Sequence, residues 1–214
     1  MKIIALAILA AGILAVNARA TTVDDPVGDF IPTFSGPHGA DLDVVSTTAV
    51  ISGSNLVLSA TMNGAIGTTP GGLYVWGLDR GLGATTANFS AIGLPNIIFD
   101  SVVVVLPNGT GQVALLETGT PVATPLGAGA ITINGNMFSA VVPLSMLPST
   151  GFATESYTQN LWPRYGGITT DDQISDFAPD ASMAGISVPE SASLGLLGLS
   201  GLLLVALRGR ARAS

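Results

Sequence analysis

Carboxylates are the reactive groups this chain carries in quantity. Fourteen Asp and Glu residues lie between Asp24 and Glu190, with Arg80 and Arg164 as the only Lys or Arg among them. The first notable spacing is Asp25-Pro26-Val27-Gly28-Asp29, followed by Asp41-Leu42-Asp43. A hard divalent cation such as calcium takes six to eight oxygens, which a short loop supplies through carboxylates and backbone carbonyls. Gly28 lets such a loop turn tightly, Pro26 stiffens it, and Asp41 is placed to return and complete the shell. The expected ligands are therefore Asp25, Asp29 and Asp41. The competing reading is a set of solvated turn and cap residues, because Asp and Gly favour turns in any case.

A second constellation joins aromatic and polar residues. Trp162-Pro163-Arg164-Tyr165 precedes the acidic run Asp171-Asp172-Gln173-Ile174-Ser175-Asp176-Phe177-Ala178-Pro179-Asp180. Sugars are bound by aromatic rings stacked on their apolar faces with polar groups at the rim, so Trp162, Arg164, Tyr165 and Asp172 form a candidate glycan site. Trp76, alternating with Tyr74 on an apolar run, reads as core. A glycosidase needs two carboxyls set across the sugar, which gives Asp172 and Asp176 as an alternative catalytic pair. Solvated surface charge is the plainer reading of that run, and Arg80 and Arg164 are expected to pair with some of the acids.

Other chemistries lack their residues. The single histidine, His38, sits in a turn-like Ser35-Gly36-Pro37-His38-Gly39, and no G-x-S-x-G elbow or phosphate-cradling glycine loop accompanies it. The chain has no cysteine, so disulfides, thiolate metal sites and thiol catalysis are excluded. The acidic middle repels nucleic acid, whose phosphates need Lys and Arg partners.

The elements that must position these groups read as strands. Leu56, Leu58, Ala60 and Met62 alternate with Val57, Ser59 and Thr61, the period of a strand with one buried face. Further runs are Asp41–Ile51, Leu73–Leu78, Ile97–Leu106, Gln112–Glu117, Ala130–Ile133 and Met137–Val142. Val102 to Val105 reads as a central strand buried on both sides. Ser52-Gly53-Ser54-Asn55, Asn108-Gly109 and Asn134-Gly135 are hairpin signals, while Thr150–Met183 reads as a closing loop or edge strand. No fixed repeat supports a solenoid. The expected fold is all-β, a two-sheet antiparallel, jelly-roll-like sandwich.

The ends have another composition. Residues 1–20 combine Lys2, an apolar stretch and Ala18-Arg19-Ala20, the pattern of a secretory signal peptide cut between Ala20 and Thr21. A β-domain follows over 21–187. Residues 188–214 hold Val188-Pro189-Glu190, seventeen uncharged residues from 191 to 207, and Arg208, Arg210 and Arg212. As a helix that run spans about 26 Å, close to a bilayer core, with the arginines on the cytoplasmic side.

Two resemblances attach to these motifs. Asp25-Pro26-Val27-Gly28-Asp29 with Asp41-Leu42 resembles the opening of family 9 carbohydrate-binding-module-like and DOMON-like β-sandwiches. This implies a structural calcium held by Asp25, Asp29 and Asp41. Val188-Pro189-Glu190 with the apolar span and arginines resembles the PEP-CTERM sorting signal of Gram-negative bacteria. That implies export by signal peptidase and the general secretion machinery, and transient membrane anchoring. It further implies recognition at Pro189-Glu190 by an exosortase-type membrane transpeptidase, with delivery to the surface or matrix. The expectation is a non-catalytic, calcium-stabilised matrix protein associated with exopolysaccharide.

Overall fold

Alternation in the sequence becomes strand structure wherever one face of a strand meets the core. The computed structural model describes residues 22–83, 86–117, 120–167 and 170–188. The expected leader, the cleavage junction at Thr21, Pro189-Glu190 and the helix over 191–207 lie outside the described residues. Among the described residues helical structure is limited to short 3-10 turns, and no helix is long and apolar enough to cross a membrane.

The described strands are β1 (Thr22–Asp24), β2 (Val44–Ser52), β3 (Asn55–Met62), β4 (Gly72–Asp79), β5 (Ala87–Phe89), β6 (Leu94–Phe99) and β7 (Ser101–Val105). They continue with β8 (Gly111–Leu115), β9 (Val122–Pro125), β10 (Ile131–Asn134), β11 (Met137–Pro143), β12 (Thr158–Tyr165) and β13 (Ala184–Gly185). One antiparallel sheet has the order β1-β2-β3-β11-β10, and a second has β13-β12-β4-β7-β8-β9. A small hairpin, β5-β6, stands apart from both. The fold is all-β and sandwich-like. Leu56, Leu58, Phe138 and Val142 of the first sheet share one buried cluster with Tyr74, Trp76, Val103 and Leu161 of the second. Trp76 is core as expected, and its indole N–H donates to Thr47 Oγ1 at 3.2 Å.

The second sheet is covered on its other face as well. Val75, Phe89, Ile97, Phe99, Trp162, Ile174 and Phe177 form a separate cluster there, supplied by the β5-β6 hairpin and the segment after β12. A sheet buried on both faces loses polar alternation, which is why Gly72–Asp79 reads as a nearly continuous apolar run. Gly77 is required by this layer, since a Cβ there would collide with the Trp162 ring.

Turn chemistry fixes two hairpins as expected. Ser52 pairs with Asn55 around Gly53-Ser54, and Asn134 with Met137 around Gly135-Asn136. In each the first loop residue is a glycine at positive φ, 60° and 62°, as a type II′ turn requires. The Asn108-Gly109 connection is longer. Leu106 N–H donates to Thr110 O, with Gly109 at φ 80°.

Three expectations are corrected. The run from Ile97 to Leu106 is not one strand: it breaks at Asp100, whose side chain turns inward to Arg80, leaving β6 and β7 in different layers. β7 is central, between β4 and β8, as expected, but its second face is incompletely covered: Val103 and Val105 are fully buried, while Val102 and Val104 pack half-covered against the outer cluster. The stretch expected as a closing loop or edge strand contains β12, an interior strand between β13 and β4. Pro163 is tolerated there because its missing N–H lies on the side away from β4. Pro163 O accepts from Ser175 N–H on that side, and Leu161 exchanges both bonds with Ala178.

Candidate metal centre

The site is assembled from two segments near opposite ends of the domain's sequence. After β1 the chain enters the loop of Asp25 to Asp29, held from below by Asp43. Both Asp43 carboxylate oxygens accept from Gly28 N–H at 3.0 Å, and Asn63 Nδ2 donates to Oδ2 at 2.9 Å. Gly28 sits at φ 86°, the left-handed conformation that this close approach needs. Asp43 is 1% exposed and committed to these donors.

The other segment runs beside β12. Asp176 is 1% exposed, and its Oδ2 accepts from Val44 N–H and its Oδ1 from Phe177 N–H, each at 2.7 Å. Asp180 follows in a turn pinned by Asn160, whose Nδ2 donates to Pro179 O at 2.5 Å and Ser182 O at 2.8 Å.

These segments converge. One carboxylate oxygen from each of Asp25, Asp29, Asp176 and Asp180 lies within 4.8 Å of the others. Asp25 Oδ2 and Asp29 Oδ1 are sealed from solvent and reached by no hydrogen-bond donor. Buried, unpartnered carboxylate oxygens facing further carboxylates are costly as bare anions. Only protons or a cation can settle them.

Burial and mutual repulsion raise these carboxyls. Asp25 is pushed up to about 9, first by burial and then by the charges of Asp176, Asp180 and Asp29. Asp176 is pushed up to about 7, again first by burial, with the Val44 and Phe177 N–H groups holding it down in part. Asp29 is also raised, mainly by burial, against its own backbone hydrogen bond. The donor set is anionic oxygen throughout, the preference of hard divalent ions. This cluster of four acidic residues is therefore able to hold a metal ion.

The structure brings Asp25 and Asp29 together as the spacing suggested, but Asp41 stands elsewhere and is corrected as a ligand. It is fully buried, with Oδ2 accepting from Thr69 N–H at 2.9 Å and Oδ1 from Thr69 Oγ1 at 2.5 Å. Ala40–Leu42 forms a 3-10 turn rather than the start of a strand, which directs Asp41 under the loop carrying Thr69. Burial, followed by the charge of Asp41, also raises the Tyr74 hydroxyl above its usual value.

Trp162 is corrected as a sugar platform. It is 1% exposed, with the rings of Phe99, Phe89 and Phe177 centred 4.9, 5.0 and 6.0 Å away, so no sugar face can reach it. Arg164 and Tyr165 are half-buried. Arg164 NH2 lies 3.7 Å from Asp171 Oδ1, one of the expected pairings. Asp172 is exposed on the 3-10 turn Asp171–Gln173, apart in burial from Asp176, its suggested catalytic partner.

Sequence reasoning missed Asp176 and Asp180 as members of the centre. Nothing local links them to Asp25, which lies about 150 residues earlier. The available signal was two Asp-rich spans at the two ends of one β-domain. No protein-family model matches the chain, and no curated protein matches it.

Proposed function

We propose that the protein is a non-catalytic surface or extracellular-matrix protein, secreted and sorted by an exosortase-type transpeptidase. Its domain is a jelly-roll-like β-sandwich that is stabilised by calcium and associates with exopolysaccharide. The observation that carries the calcium reading is the convergence of Asp25, Asp29, Asp176 and Asp180 around two orphaned carboxylate oxygens. A ligand that binds only the folded chain raises its stability. Calcium suits the set because it accepts many carboxylate oxygens in flexible geometry, whereas magnesium sheds its waters reluctantly.

The sorting part of the proposal rests on the resemblance of the two ends to a signal peptide and a PEP-CTERM signal. The structural role is supported by the way the acids are used. Asp41, Asp43 and Asp100 are all buried and spent on holding loops in place.

The test is a melting curve of the purified full-length chain in calcium and in chelator, paired with fractionation of a polysaccharide-producing host. A higher melting temperature in calcium is expected, with the domain recovered from the matrix. Identical melting in both buffers would remove the metal. Recovery of the chain solely from the cytosol would remove the sorting.

A further inference from the structure

The outer face of the first sheet is nearly free of charge in a domain that is otherwise strongly acidic. No charged side chain occurs from Val44 to Leu78 or from Thr118 to Thr154, the spans that hold β2, β3, β10 and β11. Asp24, on the short edge strand β1, is the one charge among the described strands of this sheet. Strand pairing sets the outward side chains in rows. Val57 lies between Val50 of β2 and Val141 of β11, and Ser59 lies between Thr48 and Ser139. These three valines join neither buried cluster, and Val141 and Met137 on β11 are 39% and 51% exposed. We infer that this face is a self-association surface, on which a second copy of the chain stacks face to face about a twofold axis running along β3.

Charge names the occupant. Fourteen carboxylates against two arginines make two copies repel one another over most of the domain surface, so they approach closely only where charge is missing. A basic partner would be drawn to the acidic surfaces instead. A glycan would find no aromatic ring to stack on, since the outward residues of these strands are Ser, Thr, Val, Asn, Met, Pro and Asp24.

The face is also complementary to itself. β3 is the middle of the order β1-β2-β3-β11-β10, so a twofold along it lays each row of one copy on the same row of the other. Val57 then meets Val57 of the second copy and Val50 meets its Val141. Ser59 meets Ser59, which costs little because a hydroxyl both donates and accepts. Asp24 shares a row with Asn134 at the opposite edge, so each carboxylate faces an amide rather than another carboxylate. Five strands about 4.8 Å apart, with the residues from Asn55 to Thr61 spaced by about 3.4 Å, make a face of roughly 24 by 24 Å. Two such faces together bury roughly 1,000 Å², the low end for a specific interface, so the pairing is reversible.

Sedimentation velocity of the full-length chain over a concentration series, at low and high salt, tests this. A dimer should form with rising concentration and tighten as salt screens the repulsion between the acidic surfaces. Val57→Lys places like charges opposite each other on the axis and should weaken association by about tenfold or more, with the melting temperature little changed. Ser59→Lys, one row along, should do the same and decides the matter should Val57→Lys fail to fold. Because the chain has no cysteine, a bismaleimide should link copies of Val57→Cys and not copies of Val122→Cys, an exposed position on the other sheet. A chain that stays monomeric up to about 1 mM overturns the inference, as does association unaffected by a folded lysine variant. Equal cross-linking at positions 57 and 122 overturns it too. Binding of a neutral polysaccharide to a monomeric chain, lost in the lysine variants, would assign the face to a glycan and overturn the pairing.

Discussion

Asp41 and Asp180 exchange roles between the sequence pattern and the fold, and paired substitutions separate the two. Asp41→Ala removes two hydrogen bonds to a buried carboxylate and strands the Thr69 N–H in a buried position. Hydrogen bonds to charged groups contribute about 1.5–3 kcal/mol each. Relief of the buried charge offsets part of that, leaving a cost of about 2–4 kcal/mol. A domain of this length loses about 2–4 °C per kcal/mol, so the melting temperature should fall by roughly 5–15 °C in both calcium and chelator. The calcium increment itself should survive. At a hundredfold excess over its dissociation constant, calcium contributes about 2.7 kcal/mol, or roughly 5–10 °C. Asp180→Asn should remove most of that increment while leaving the melting temperature in chelator unchanged or higher, since it relieves repulsion on Asp25. Differential scanning calorimetry of the two variants and the parent chain in both buffers is the measurement. If Asp41→Ala abolished the calcium increment and Asp180→Asn preserved it, the four-aspartate centre would be refuted in favour of the ligand set read from spacing.

Two further outcomes follow from buried charge. Arg80 is fully buried, with Nε 2.7 Å from Asp100 Oδ1, and its guanidinium also reaches Glu117 Oε1 and Pro148 O. Arg80→Met leaves Asp100 without its charge partner and should cost about 3–5 kcal/mol by urea denaturation, part of it recovered on adding Asp100→Asn. A loss below about 1 kcal/mol would mean the pair does not staple β4 to the turn at Asp100. The metal-free centre sets the direction of pH dependence. Asp25 and Asp176 stand at about 9 and about 7, above the unfolded value of 3.8, so the folded state holds protons that the unfolded chain releases. Their contribution is fully present below about pH 4 and is lost as pH rises through about 7 and then 9. In chelator the denaturation midpoint should therefore fall between about pH 5 and pH 9, and calcium should flatten that fall. A midpoint that rises over this range in chelator would contradict the assignment.

The strands that the sequence discloses are those with one wet face. Alternation in Asn55–Met62 and the glycines at 53 and 135 placed the first sheet, because each signal is local and each loop has a single conformational need. β12 escaped because its two faces are buried by different partners. Leu161 enters the core between the sheets and Trp162 the outer cluster, so no period-two pattern survives in Thr-Gln-Asn-Leu-Trp-Pro-Arg-Tyr. Pro163 is accommodated within β12 because its missing N–H falls on a side where the ladder is already partial. The break at Asp100 was hidden for a related reason, a polar residue within an apolar run whose purpose appears only with Arg80 beside it. Half of the acidic cluster was legible, as Asp25 and Asp29 share a loop. Asp41 misled because a one-turn 3-10 segment, invisible to hydrophobic periodicity, sends its side chain the other way.

The position of the centre gives it mechanical meaning in a chain without cysteine. β1 pairs with Ser46 to Thr48 of β2, and Ser187 bridges Val50 on the same strand, where Ser187 N–H donates to Ala49 O and Ile51 N–H to Ser187 O. The first strand and the last described segment are thus both laid on β2, each by a few backbone hydrogen bonds. Short terminal pairings of this kind open at little cost. Asp25 and Asp29 follow the first of them, Asp176 and Asp180 precede the second, and a cation held by all four would join residues about 150 apart. In the chain-entropy picture of cross-links, closing a loop of that length stabilises by about 4–5 kcal/mol, the upper end of what a disulfide gives. Without a cation the same four acids repel one another once they ionise, as pH rises through about 7 and then 9. One cluster would therefore act in opposite directions, holding both segments if a cation is bound and loosening them when it is empty and ionised.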